Sequence, residues 1–346
     1  MRRAWVVAAL LASTARPVRA DVPKALGDFK AGRYMEAAAE LQAIVDRSPG
    51  DAFAYFLLGH CLLKMQHPSE AEARFRRAID IDPKPEYFQG LALALKTSAD
   101  WQHAIQVASD GLTRAADPPT RFSLLVVRGF AYGAVNRWPE AIRDFDTARK
   151  IRSEPWLSVL LGKSYFSMGD CERAMPPLKD ALGDIDDDSE VLRLLAECDI
   201  LRAGAEQDAA RKRVFYVESL GYARQLANGH PGDIDAIHLV AKASLGAGEL
   251  VQAERLFRYV LSRDPRQCYA MVNLGRTYIA TGRWDEAEAV LVKATGCAPR
   301  MRVVFETLGD LYMRRGLQQR AVDAYGRAQS LEPEPEVPMV PIRNPR

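Results

Sequence analysis

Five cysteines, five histidines and one dense acidic run are the side chains here whose types and spacing could do chemistry. Cys61, Cys171, Cys198, Cys268 and Cys297 include no Cys-x-x-Cys pair, so zinc-site and dithiol-motif spacing is absent. Their number is odd, so at least one thiol stays unpaired within a monomer. His60, His67, His103, His230 and His238 are scattered. There is no His-Glu-x-x-His, no phosphate-cradling glycine loop and no nucleophile elbow. The run Asp184, Asp186, Asp187, Asp188 and Glu190 offers the carboxylates of a calcium loop. It lacks the central glycine, and Leu195 stands where the closing glutamate belongs. Acids ahead of a helix also complement its dipole, which accounts for the run without a metal. No catalytic residue, metal or cofactor is expected.

The elements that carry these residues are helical. Ala, Leu, Arg and Glu are abundant in a chain of 346 residues that is 48% hydrophobic and 27% charged. Self-comparison gives the organisation. Leu58-Gly59, Ala71, Phe75, Ala78 and Pro83 return at the same offsets as Leu274-Gly275, Ala287, Leu291, Ala294 and Pro299. They return again, 34 residues on, as Leu308-Gly309, Ala321, Tyr325, Ala328 and Pro333. Gly129, Tyr132, Ala141, Phe145 and Ala148 keep this frame, as do Gly162, Tyr165, Ala174, Leu178 and Ala181. The small residues let two helices approach, and Tyr132, Tyr165, Tyr278 and Tyr312 fill the space between them. Gly32, Gly169, Gly248, Gly282 and Gly316 fall at turns that call for positive φ. Pro49, Pro83, Pro265, Pro299 and Pro333 end the second helix of each pair.

This frame resembles the tetratricopeptide repeat family. The resemblance implies an all-α, right-handed superhelical solenoid of antiparallel helix pairs, with no space left for an enzyme domain. About nine repeats are expected, near 18–51, 52–85, 85–118, 122–155, 155–188, 189–233, 234–267, 268–301 and 302–335. The array takes up residues 21–335. The third repeat keeps Trp101 and Ala104 but lacks the usual glycine and proline. The sixth departs most: Pro231 lies 43 residues after Asp188, where the period leaves room for about 32. A lengthened second helix from Ala205 to Asn228 is expected. Its Arg211-Lys212-Arg213 cluster reads either as a partner-docking feature or as a solvated face.

In the family the first helix of each pair lines a concave groove where peptides lie. Helical spacing then selects Phe53, Phe56, His60 and Lys64, followed by Gln89 and Lys96. Phe130, Trp156, Lys163 and Phe166 form the middle of the row; Arg193, His238, Lys242, Tyr269, Arg276, Glu306 and Asp310 continue it. Aromatics with a few cations suit a peptide bringing apolar side chains and some acids. The alternative is that Phe130, Trp156 and Phe166 pack against the next helix, one residue of register separating the two readings. Some members clamp a chaperone's carboxylate tail with Lys, Asn and Arg. Those places hold mostly Phe, Leu and Val here, Asn273 with Arg276 being the one fragment, so that activity is not implied. The helix frame also brings Cys268 near Cys297, and Cys171 near Cys198. Each pair reads either as a disulfide or as small buried residues.

Residues 1–20 read as a secretory signal peptide: Arg2 and Arg3, an apolar run from Ala4 to Ala12, and Val18-Arg19-Ala20 at the cut. The run is about half the ~20 residues that cross a bilayer. Arg2, Arg3, Arg16 and Arg19 belong to this leader, so of 47 basic residues 43 remain beside 45 acidic ones. Nothing in a net charge of −2 argues for nucleic acid, and none is expected as a partner. Residues 336–346 form a Pro-rich tail. These features lead to a non-catalytic scaffold for a protein or peptide in a bacterial envelope, touching membrane only through partners. A periplasmic chaperone or peptide receptor, or an accessory subunit of a polysaccharide or peptidoglycan enzyme complex, are the alternatives.

Overall fold

The computed structural model describes residues 22–331, which hold 18 α-helices and no strand. The expected leader and the Pro-rich tail lie outside the described residues. The described residues fall into two compact units, 22–164 and 165–331. The N-terminal unit contains α1 (Pro23–Lys30), α2 (Tyr34–Arg47), α3 (Ala52–Lys64), α4 (Pro68–Ile81), α5 (Pro85–Thr97), α6 (Trp101–Arg114), α7 (Pro118–Ala134), α8 (Trp138–Ile151) and most of α9 (Pro155–Ser167). The C-terminal unit continues with α10 (Cys171–Ala181), α11 (Ser189–Ala205), α12 (Ala209–Gly229), α13 (Ile234–Ala247), α14 (Leu250–Arg263), α15 (Cys268–Ala280), α16 (Trp284–Cys297), α17 (Arg302–Arg314) and α18 (Gln318–Gln329). Odd-numbered helices are the first of each pair and even-numbered helices the second.

Local chemistry starts and stops these helices. The carboxylates of Asp51, Asp100, Asp117, Asp170, Asp208 and Asp233 each accept a backbone N–H from the first turn of the helix they precede. Pro68, Pro85 and Pro118 open α4, α5 and α7, where a missing N–H costs nothing. The hairpin turn needs one left-handed residue. Gly248 supplies it at φ 86°, and its N–H reaches the carbonyls of Ser244 and Leu245. Three turns of the N-terminal unit use other residues: Gln66 at φ 67°, Ala99 at 59° and Asn136 at 59°. The missing glycine of the third repeat is therefore replaced by Ala99 without loss of the turn.

Close helix approach comes from the small residue on each first helix. A Cβ on Gly59 would lie 2.8 Å from the Phe75 ring, and one on Gly129 would lie 2.6 Å from Phe145. Phe75, Phe145 and Phe257 are fully buried, and so are Ala71, Ala141 and Ala253, one turn before each ring, which let them in. Each such ring contributes on the order of 3 kcal/mol of burial. Charges tie neighbouring repeats together: Arg283 reaches Glu254 at 2.7 Å, and Arg315 reaches Glu288 at 2.6 Å. In the N-terminal unit Arg128 forks onto Asp144 with two 2.7 Å bonds and also reaches Ser109 at 3.0 Å.

Cys268 and Cys297 form a disulfide, with Cα atoms 5.8 Å apart and a sequence separation of 29. A closed loop of that length is worth roughly 3–4 kcal/mol through the unfolded chain. Of the two readings for Cys171 and Cys198, the structure has the second: both are buried thiols and not a disulfide. The Cys198 thiol, hydrogen-bonded to Cys171 and desolvated, is held far above the ordinary thiol range. The pair packs as small residues where α10 meets α11.

The sixth repeat has the lengthened second helix, α12, but it starts later than expected and shares the insertion with the first. Its extra residues are divided between both helices: α11 has 17 residues and α12 has 21. Ala205 ends α11 rather than opening the second helix. The Glu206 carboxylate then accepts the N–H groups of Gln207 and Asp208 at 2.8 and 2.9 Å, and Asp208 caps α12. The acidic run before α11 serves the turn: Asp188 accepts the Gly183 N–H, and Asp187 accepts that of Ser189.

Candidate functional site

The small residue on each first helix faces its own hairpin. The next residue, about 100° further round the helix, starts a second row. In the N-terminal unit that row is His60, Leu93, Phe130 and Lys163. In the C-terminal unit it is Glu197, Lys242, Arg276 and Asp310. Both rows hold the ninth residue of a first helix, counting from residue 122 in the case of α7.

The N-terminal row turns inward. Phe130 is buried, edge-on to Phe145 at 5.7 Å between centroids. Phe56 is buried between Tyr87 at 4.9 Å and Phe75 at 6.0 Å. Gln89 is buried, Lys163 is 1% exposed and Phe166 is fully buried. These five residues, expected to face a partner, belong to the core. The one-residue ambiguity of helical register accounts for the difference. Phe53 and Trp156 are half-buried, Trp156 meeting Phe122 edge-to-face at 6.1 Å. Lys64 is exposed. Lys96 sits 4.2 Å above the Phe130 ring, and burial lowers its pKa to about 8. The His60 ring packs on Phe56 and Phe75 at 4.6 and 5.1 Å. Its Nε2 has no hydrogen-bond partner among the described residues. Burial, helped by Lys64, brings its pKa down to about 4.

The C-terminal row faces outward. Lys242, Arg276 and Asp310 are exposed, and Glu197 is half-buried. Lys242 senses Glu197 on the first helix before it and Arg276 on the one after it. Burial raises the Glu197 pKa, while Arg193 and Lys242 oppose that rise. One Glu197 oxygen lies 3.8 Å from Arg193, and the other is unpartnered among the described residues. Although Lys242 is exposed over its length, the helices crowd its ammonium and lower its pKa. Arg276 adds to that fall and Glu197 resists it. Half-buried Tyr216 stands behind the row, its ring laid on Gly246 and its hydroxyl influenced by Arg276.

The other expected residues flank this row. Arg193 is half-buried. His238 packs on Phe257 at 5.8 Å, with its pKa lowered to about 4 by burial and by Lys242. Tyr269 is 49% exposed. Glu306 accepts from Arg302 at 2.6 Å, and Asp310 accepts the Tyr325 hydroxyl proton at 2.6 Å. Sequence reasoning missed Glu197 and Tyr216. Stepping back from Lys242 by one period plus the eleven extra residues lands on Glu197, so its signal was present.

The arrangement is suited to binding. Among the described residues no group of three His, Cys, Asp or Glu is placed to hold a metal ion. No described helix is long and apolar enough to cross a membrane.

The tetratricopeptide repeat pattern matches residues 28–94 and 244–300, one stretch in each unit. No curated protein matches the sequence. Among solved structures, the C-terminal part of a repeat-containing protein from Cytophaga hutchinsonii is similar at TM-score 0.57 and 16% identity. That match covers 72% of this chain and 98% of the other. PilF from Pseudomonas aeruginosa is similar at TM-score 0.51 and 15% identity, over 63% of this chain and 93% of the other. At such identities the likeness is one of fold. With a matched stretch in each unit, and the same frame of small residue, left-handed turn and buried alanine between them, the chain is a tetratricopeptide-repeat protein.

Proposed function

We propose that this protein is a non-catalytic scaffold of the bacterial envelope, holding a segment of another protein against the first helices of its C-terminal unit. The observation that carries this reading is the row Glu197, Lys242, Arg276 and Asp310. These charges are carried on four successive first helices, and three of them are exposed. An acid–base–base–acid order selects a segment with acids at its centre, and Tyr269 adds an aromatic contact beside it. The fold supports protein binding in general; the row supplies specificity. The envelope assignment rests on residues 1–20.

Full-length protein carrying Lys242→Glu/Arg276→Glu, recovered from the native envelope, is expected to lose the partner that wild type retains. These are surface changes, so the melting temperature should be unchanged. A folded double variant that keeps every partner contradicts the reading. Export has its own test: N-terminal sequencing is expected to start at Asp21, and an intact Met1 contradicts it.

A further inference from the structure

We propose that the outer face of α12 is a second docking surface, fitted to an acidic amphipathic helix of a partner protein. It lies on a second helix, apart from the charged row, and goes beyond that reading.

The inner face of α12 is fixed. Ser219, Leu220, Ala223 and Leu226 are buried, the Ser219 hydroxyl donates to the Ala196 carbonyl at 2.8 Å, and Arg202 covers Phe215 at 4.1 Å. The opposite side should be the most polar part of a helix facing water. Instead, Ala210, Val214, Val217 and Gly221 follow one another at i, i+4, i+7 and i+11 down its centre. Val214 is 52% exposed and Val217 is 54% exposed. At 21 residues α12 is the longest described helix, and this ridge occupies its first three turns.

Charge names the occupant. Arg211 and Arg213 flank the ridge on its two sides, both exposed, and neither makes an ion pair with a described residue. Several other arginines of the unit are paired: Arg173, Arg193, Arg202, Arg258, Arg283 and Arg315 all have acidic partners. One turn beyond Gly221, Arg224 pairs with Glu249 at 2.7 Å and opens onto a 520 Å³ cavity. Val251, 86% exposed, and Arg255 also line that cavity. The apolar strip therefore has a basic border over its first half, at Arg211 and Arg213. An acidic partner satisfies Arg211 and Arg213 while covering the valines.

A helix fits better than the other occupants. Ala210 and Gly221 at the ends of the ridge let a second backbone come close. A bilayer would call for Trp, Phe or Leu on this face, which has none and carries Glu218 beside the valines. A second copy using the same face would set Arg211 and Arg213 against their own likeness.

The test uses the full chain and a fluorescent synthetic helix with a leucine stripe flanked by glutamates. Its lysine-flanked twin and anionic phospholipid vesicles are the other arms. The glutamate-flanked helix is expected to bind, with affinity falling about tenfold or more in Arg211→Glu/Arg213→Glu and again in Val214→Ser/Val217→Ser. The second variant keeps every charge, so its loss would separate the ridge from a merely basic patch. Circular dichroism confirms that both variants fold. Absent binding, equal binding of the lysine-flanked twin, unchanged affinity in either ridge variant, or capture of vesicles in place of the helix would overturn the proposal.

Discussion

The same helical position is used in opposite ways by the two units. In the N-terminal unit the residue after the small one packs inward: Phe130 is core, Lys163 is buried, and His60 lies against two phenylalanines. In the C-terminal unit it carries Glu197, Lys242, Arg276 and Asp310. A solenoid needs its small residue and the ring opposite to hold each hairpin. It leaves the neighbouring position free to add core or to present charge. One unit adds core there and the other presents charge.

That contrast breaks most readily at Phe130. Phe130→Ala is expected to cost about 3–5 kcal/mol, confined to the N-terminal unit, by leaving a cavity against Phe145. Lys242→Ala should change stability by no more than about 0.5 kcal/mol. Urea unfolding with hydrogen exchange read helix by helix separates them. Similar costs at the two positions would remove the distinction.

Acid should also separate the units. His60 and His238 are both held near pKa 4 by burial, below the ordinary 6.5. A histidine lowered on folding stabilises fully above its unfolded pKa, and that contribution is lost as pH falls from about 6.5 through 4. It amounts to on the order of 3 kcal/mol for each. The C-terminal unit has groups of opposite sign. Burial raises the Asp199 pKa to about 6, with Arg202 opposing, and burial also raises Glu197. An acid raised on folding contributes stability below its unfolded pKa that is lost as pH rises through the folded value. Acidification from pH 7 to 4.5 therefore protonates Asp199 favourably while His238 becomes unfavourable. Through these groups the N-terminal unit should lose more hydrogen-exchange protection than the C-terminal unit, and His60→Leu should reduce its loss. Equal losses in both units would contradict this reading.

The smallest effect concerns the turns. Ala99→Gly should be neutral or stabilising by up to about 1 kcal/mol, since it relieves a left-handed alanine. Gly248→Ala should cost about 1–2 kcal/mol at φ 86°. Paired thermal melts check both. A destabilising Ala99→Gly would mean that the alanine methyl is held by packing.

Repeat frame and sequence legibility go together. Gly59 opposite Phe75 and Gly248 at its turn leave marks that repeat every 34 residues, because each hairpin must solve the same steric problem. The turns at Gln66, Ala99 and Asn136 are less legible, since the left-handed region tolerates them at modest cost. Which way Phe130 points was not readable: 100° of helix rotation per residue places neighbouring positions close to either face. The sixth repeat misled for a different reason. An insertion can lengthen either helix, and the break at Glu206 is made by a carboxylate folding back onto two amides, without glycine or proline. Glu197 was hidden behind the same insertion.

Where a partner rests on the two units is the most direct test of the proposed function. Hydrogen exchange of the full chain, alone and with a partner captured by the wild-type protein, should show new protection in α13 and α15 around Lys242 and Arg276. The segments around Leu93 and Phe130 in α5 and α7 should stay unchanged. Protection confined to α5 and α7, with α13 and α15 exchanging as in the free protein, would contradict it.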